Sequence, residues 1–141
     1  MKELYLNNEE LAWAAGFVDG EGHFGLHLSG RSITARKYGV ISLNIAQKDR
    51  QVLDKFQEIV GLGKVYGPYS HGKKPTKYFG YFIHNFEHTQ AAIGYLWKWL
   101  SPVKREQAKQ TLIQYSEYLK RPSWRANVRG KRGPYKIKAK A

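Results

Sequence analysis

Twice in this chain, two short segments with apolar residues at every second position are followed by a segment whose apolar residues recur every three or four. Alternation fits a strand with one buried face, and the longer period fits a helix with one buried stripe. The first pair is "HFGLHLS", with Phe24, Leu26 and Leu28 apolar, and "VISLNIAQ", with Ile41, Leu43 and Ile45. After it, "KDRQVLDKFQEIVG" sets Val52, Leu53, Phe56, Ile59 and Val60 between a capping Asp49 and a terminating Gly61. The second pair is "GKVYGPY" and "KYFGYFIH", followed by "NFEHTQAAIGYLWKWL" with Ile93, Leu96, Trp97 and Leu100 on one face. Both faces of "KYFGYFIH" are aromatic, so its inward side stays open. A helix from about Asn8 to Gly20 precedes the first pair. Another, from about Lys104 to Lys120, carries Ala108, Leu112, Tyr115 and Leu119 at helical spacing. The order helix, two strands, helix, two strands, helix, helix predicts one α+β domain over residues 1–119 with a mostly antiparallel sheet.

A chain of 141 residues is long enough to bury a core without staples, and it has no cysteine for a disulfide or a thiolate metal site. Its formal charge of +13 is the footprint of a nucleic-acid binder. Nine of the basic residues, Lys120, Arg121, Arg125, Arg129, Lys131, Arg132, Lys136, Lys138 and Lys140, fall in residues 120–141, which contain no acid. That tail reads as a phosphate-binding arm, flexible without its partner. No apolar run approaches a membrane span, and "MKELYLNNEE" lacks a signal peptide's apolar stretch. The expectation is an intracellular protein, in an organelle or a prokaryotic cytoplasm, not secreted and not at a membrane.

In the first helix, Asn7 or Asn8 can cap and Glu10 can close back on the free amides. Ala12, Gly16 and Gly20 recur every four residues and leave one face almost without side chains. Interior glycines cost a helix up to about 1 kcal/mol each, so the smooth face needs a reason. It serves either close packing inside the domain or pairing with a second copy of itself. The helix ends in "GFVDGEGHF", where Asp19 and Glu21 flank Gly20. Acids are disfavoured by a few tenths of a kcal/mol at this end of a helix, so they require positive compensation or a task.

The stretch "AAGFVDGEG", Ala14 to Gly22, resembles the signature of the LAGLIDADG homing endonucleases. Ala14 stands where the family name has leucine, Asp19 at its first acid and Glu21 at its second. The element order matches that family's αββαββα core, so the resemblance spans roughly Leu4 to Leu119, with an extra C-terminal helix and a curved antiparallel DNA-binding sheet. It implies signature helices packed along their small residues, here Ala12, Gly16, Asp19 and Gly20, with their carboxylates side by side. Acids so close repel, and either rise in pKa or bind a divalent cation. Mg2+, a hard ion suited to carboxylate, water and phosphate oxygens, is the implied cofactor, and Mn2+ or Ca2+ can occupy such a site. By resemblance Glu21 is the catalytic, metal-binding acid, Gly20 lends a carbonyl, and Asp19 caps or bonds near the helix junction. Gln47 stands where relatives position the attacking water, and Lys104 where a lysine stabilises phosphate charge. Where some relatives carry an arginine, this chain has Gln51, with Arg50 beside it. One signature per chain implies a homodimer and a nearly palindromic double-stranded DNA target.

Outward positions of the alternating segments would face DNA: His23, Gly25, His27 and Ser29, then Tyr38, Val40, Ser42 and Asn44, then Lys64 and Tyr66. A two-stranded ribbon fits the major groove, where Asn reads adenine and Lys or Arg reads guanine. Arg31, Arg36, Lys37, Lys73, Lys74 and Lys77 lie in strand-connecting loops and would hold phosphates. His23 and His27 stand roughly 13 Å apart along a strand, too far to share one zinc ion. The implied activity is site-specific, intron-encoded double-strand cleavage, one phosphodiester per strand. The alternatives on the same fold are a non-cleaving DNA-binding protein and a maturase that binds intron RNA.

Overall fold

In the computed structural model, residues 7–29, 38–70, 72, 73 and 76–120 are described. The elements are α1 (Asn8–Glu21), β1 (Gly22–Ser29), β2 (Tyr38–Gln47), α2 (Arg50–Val60), β3 (Lys64–Ser70), β4 (Lys77–Ile83), α3 (Phe86–Leu96), a 3₁₀ turn (Trp97–Trp99) and α4 (Pro102–Leu119). The strands form one antiparallel sheet in the order β1-β2-β4-β3, and the helices bury its inner face. Expected boundaries of the elements agree to within a few residues. The tail beyond Lys120, the basic loop holding Arg31, Arg36 and Lys37, and Lys74 lie outside the described residues.

Local chemistry places each helix. The Asn7 side chain accepts from the amides of Glu9 and Glu10, at 2.9 and 3.2 Å. Asp49 caps α2 by accepting from Gln51, and Gly61 ends it in the left-handed conformation at φ 74°. Asn85 and Ser101 cap α3 and α4 in the same way. The stripe of α2 is as its period predicts, with Leu53, Phe56 and Val60 buried and Val52 and Ile59 packed against them.

The open side of β4 is resolved by one buried phenol. Tyr81 is fully buried against Phe56, and its hydroxyl donates to the carbonyl of Leu62 at 2.7 Å. Burial pushes that phenol well above the usual tyrosine range. Gly63, at φ 79°, leaves room for it, because a Cβ there would meet the Tyr81 hydroxyl at 2.6 Å. Tyr81 and Ile83 therefore face the helices, and Tyr78, Gly80 and Phe82 face outward. Replacing Tyr81 by Phe should cost about 1–3 kcal/mol in a denaturant titration, because the Leu62 carbonyl loses its donor.

Three expectations need correction. Leu28 is 40% exposed rather than core, because it sits at the far end of β1 opposite Gly39, which has no side chain to pack beside it. Trp97 is 39% exposed, and Trp99 packs on the core in its place. The chain tightens into a 3₁₀ turn after Leu96, so the α-helical period no longer predicts the buried side. In α4, Leu119 is exposed, while Thr111 and Tyr118 are buried with Ala108. The Thr111 hydroxyl donates back to the Gln107 carbonyl at 2.8 Å, which satisfies it, and Tyr118 lies flat on Gly39.

Candidate active site and nucleic-acid interface

Among the described residues, nothing covers the smooth face of α1. Leu11, Ala14, Ala15 and Val18 are buried, whereas Gly16, Gly20 and Glu21 are exposed and Ala12 is half-buried. A Cβ added at Gly16 or Gly20 would meet nothing within 4 Å. Close packing against the described part of the domain therefore does not explain the small residues.

The two acids at the end of α1 have separate environments. Both oxygens of Asp19 accept from the backbone N–H of Ser101, at 3.0 and 3.1 Å. Ser101 caps α4, so Asp19 rests at the positive end of an 18-residue helix. That supplies the compensation its own position demands, and the carboxylate is committed within its chain rather than spare for the pairing face. Glu21 is exposed, and its carboxylate has no hydrogen-bond or ion-pair partner among the described residues.

Beside Glu21, α4 holds the free edge of β1. Lys104 Nζ donates to the Gly22 carbonyl at 2.8 Å and to Gln107 Oε1 at 3.1 Å. The same Gln107 oxygen accepts from the Phe24 amide at 3.0 Å. A cation is thus fixed one residue from Glu21 by the strand that follows it. Gln107 was missed in the sequence, where only its spacing of three from Lys104 on one helix marks it. Gln47 pairs with Phe79 and lies two residues past Ile45, the partner of Gly22. It is half-buried, at the same end of the sheet as Glu21, and no hydrogen bond joins it to Glu21 or Lys104 among the described residues. Arg50 pairs with Asp54 at 3.5 Å and lies over the Phe79 ring, and Gln51 is exposed.

The exposed Glu21 carboxylate and the Gly20 carbonyl, in a last turn with no intrahelical donor, are the hard oxygen donors that Mg2+ prefers. They make only part of a shell, since no three His, Asp or Glu converge among the described residues. The donor set fits such an ion when phosphate oxygens and a second copy complete it.

The outer sheet face divides in two. On β1 and β2 it is polar: His23 and His27 are exposed, and Val40, Asn44 and Gly25 are half-buried. Ser42, expected to be open for reading, is only 4% exposed, shielded at the floor of a concavity formed with His27, Val40, Asn44 and His84. Its hydroxyl points to the Gly25 carbonyl at 3.5 Å. The side chains of Ser29 and Tyr38 lie outside the described residues. On β3 and β4 the face is aromatic, with Lys64 and Tyr66 outward as expected and Lys77 exposed at the start of β4. Lys73 is exposed in the connecting turn.

Comparison with known proteins places this geometry. Residues 14–115 match the family model described as LAGLIDADG endonuclease. No curated protein matches. Among solved structures, the homing endonuclease I-CvuI, in complex with its target in the presence of calcium, is 27% identical with a TM-score of 0.58. That alignment covers 73% of this chain and 65% of I-CvuI, so this chain spans about two-thirds of that relative. The homing endonuclease I-TnaI shares the fold at 22% identity and TM-score 0.58, covering 89% of this chain and 76% of its own. The group I intron-encoded endonuclease I-CeuI, complexed with DNA, shares it at 16% identity and TM-score 0.60, over 79% of this chain and 56% of its own.

Proposed function

This chain belongs to the LAGLIDADG endonuclease family, and from that premise we propose that it is a site-specific DNA endonuclease that works as a homodimer with Mg2+. The observation that carries the reading is that, among the described residues, Glu21 has no partner and nothing covers the small-residue face of the helix that ends in it. Two such faces can approach backbone to backbone, which brings two Glu21 carboxylates and two Gly20 carbonyls to one axis. The bound metal would activate water and steady the leaving oxygen.

The chain's own groups do the rest. Glu21 and Gly20 supply oxygen donors, and Lys104, held by Gly22 and Gln107, offers its cation to the phosphate where charge develops. Gln47 is placed to orient the attacking water. The outer sheet face enters the major groove, with His23, His27 and Asn44 able to donate or accept at base edges. Lys64, Lys73 and Lys77 contact phosphates, as would Arg31, Arg36, Lys37 and Lys74. Twofold symmetry makes the target pseudo-palindromic.

The test uses a duplex selected by binding from a randomised library without divalent metal. Added Mg2+ should produce breaks in both strands. Chelation should reduce cleavage by more than about a thousandfold, the several kcal/mol such an ion contributes, while binding persists. A selected duplex that is bound but never cut would leave a DNA-binding protein and remove the enzyme.

A further inference from the structure

The aromatic half of the outer sheet is not accounted for by polar reading of bases. Phe82 stands between Asn44 on β2 and Lys64 on β3, in the middle of the outward face. Its ring leans along the strand over Gly80, where a Cβ would meet it at 2.6 Å. Tyr66, 43% exposed, packs beside it at 5.7 Å between centroids, and the His84 ring lies 5.1 Å from it. Tyr69 and Tyr78 extend the same surface at 5.4 Å. An unoccupied apolar surface in water is costly. Here it is bordered by Lys64 and Lys77, which suits a polyanion with an apolar feature of its own.

Resting on the proposed DNA-cleaving function, the geometry points to Phe82, with Tyr66, as a specificity-determining shelf for the C5-methyl groups of pyrimidines in the major groove. That methyl is the one apolar group a base pair presents there, and a phenyl ring can meet it but cannot hydrogen-bond a base edge. The Phe82 ring lies down on the sheet over Gly80 and does not stand as a wedge, so it touches base edges and does not separate stacked bases. Across the sheet, His23, His27 and Asn44 offer hydrogen bonds, so the two strand pairs read by different chemistry.

The test uses the full chain and its binding-selected duplex without divalent metal. Each thymine is replaced singly by deoxyuridine, which removes only the methyl. At one or more thymines per half-site, affinity should fall about fourfold, the worth of one buried methyl group. At those positions cytosine bearing a 5-methyl group should bind more tightly than cytosine, which separates the methyl from the rest of thymine. Both differences should vanish in Phe82→Ala and persist at other positions. If that variant is unfolded, Tyr66→Ala should at least halve the same differences. Methyl-independent binding at every position, or a penalty unchanged in Phe82→Ala, overturns the inference while leaving DNA recognition intact. Single-stranded DNA or RNA bound as tightly as duplex, and weakened by Phe82→Ala, also overturns it in favour of stacking on unpaired bases. Enrichment of no duplex at all defeats the underlying function and this inference with it.

Discussion

Glu21→Gln should reduce double-strand cleavage by at least about a thousandfold while the protein folds and binds its target as before. On the proposed mechanism the change takes a charged metal donor from each half of the site, which would remove several kcal/mol of transition-state stabilisation. Glutamine keeps the shape and the exposed position, so no cavity forms and no buried partner is orphaned. The change also removes an acid from the negative end of α1, so stability should rise by a few tenths of a kcal/mol. Affinity for DNA should hold or increase slightly, since negative charge leaves a surface proposed to meet phosphates. Measuring cleavage, melting temperature and affinity on one preparation separates chemistry from structure. The contrast is Asp19→Asn, which weakens a charge-assisted bond to Ser101 and should lower stability instead. Cleavage that survives Glu21→Gln would remove the carboxylate from the mechanism. RNA binding and splicing assistance that survive it would point to a maturase role.

Legibility of the fold in the sequence followed how locally each position is determined. The α2 segment reads correctly from Asp49 to Gly61 because cap, stripe and stop all lie within thirteen residues and agree. In β4 aromatic residues occupy both faces, so alternation carries no sign. The choice is made across the sheet, by the Tyr81 hydroxyl reaching Leu62 and by Phe82 needing Gly80 beneath it. Trp99 packs on the core where Trp97 was expected, because three residues wind at a 3₁₀ pitch, which a period of 3.6 cannot foresee. At the site, the signature marks Glu21 and Asp19 but does not separate them, since the difference lies in an N–H 82 residues away. Gln107 was invisible for the same reason. Neutral, polar and on a helix surface, it gains meaning only where it meets the edge of β1.

Gly16→Leu is the substitution whose two effects should have opposite signs. Among the described residues of one chain a side chain at position 16 meets open space, and α1 gains by losing an interior glycine. The isolated subunit should therefore become more stable by about 0.5–1 kcal/mol, read at dilutions where assembly does not contribute to melting. In the proposed dimer the same side chain would hold the two helices apart at the middle of the stripe formed by Ala12, Gly16 and Gly20. The wild-type chain should sediment near twice 16.3 kDa, or with two chains per duplex on its target, and the variant at the single-chain mass, with one chain per duplex at most. Cleavage of both strands should vanish with the dimer, because each particle then holds one Glu21. A destabilised Gly16→Leu subunit would mean that the face is packed against its own chain after all. A wild-type chain that stays single on its target would leave the carboxylates unpaired and the proposed chemistry without a site.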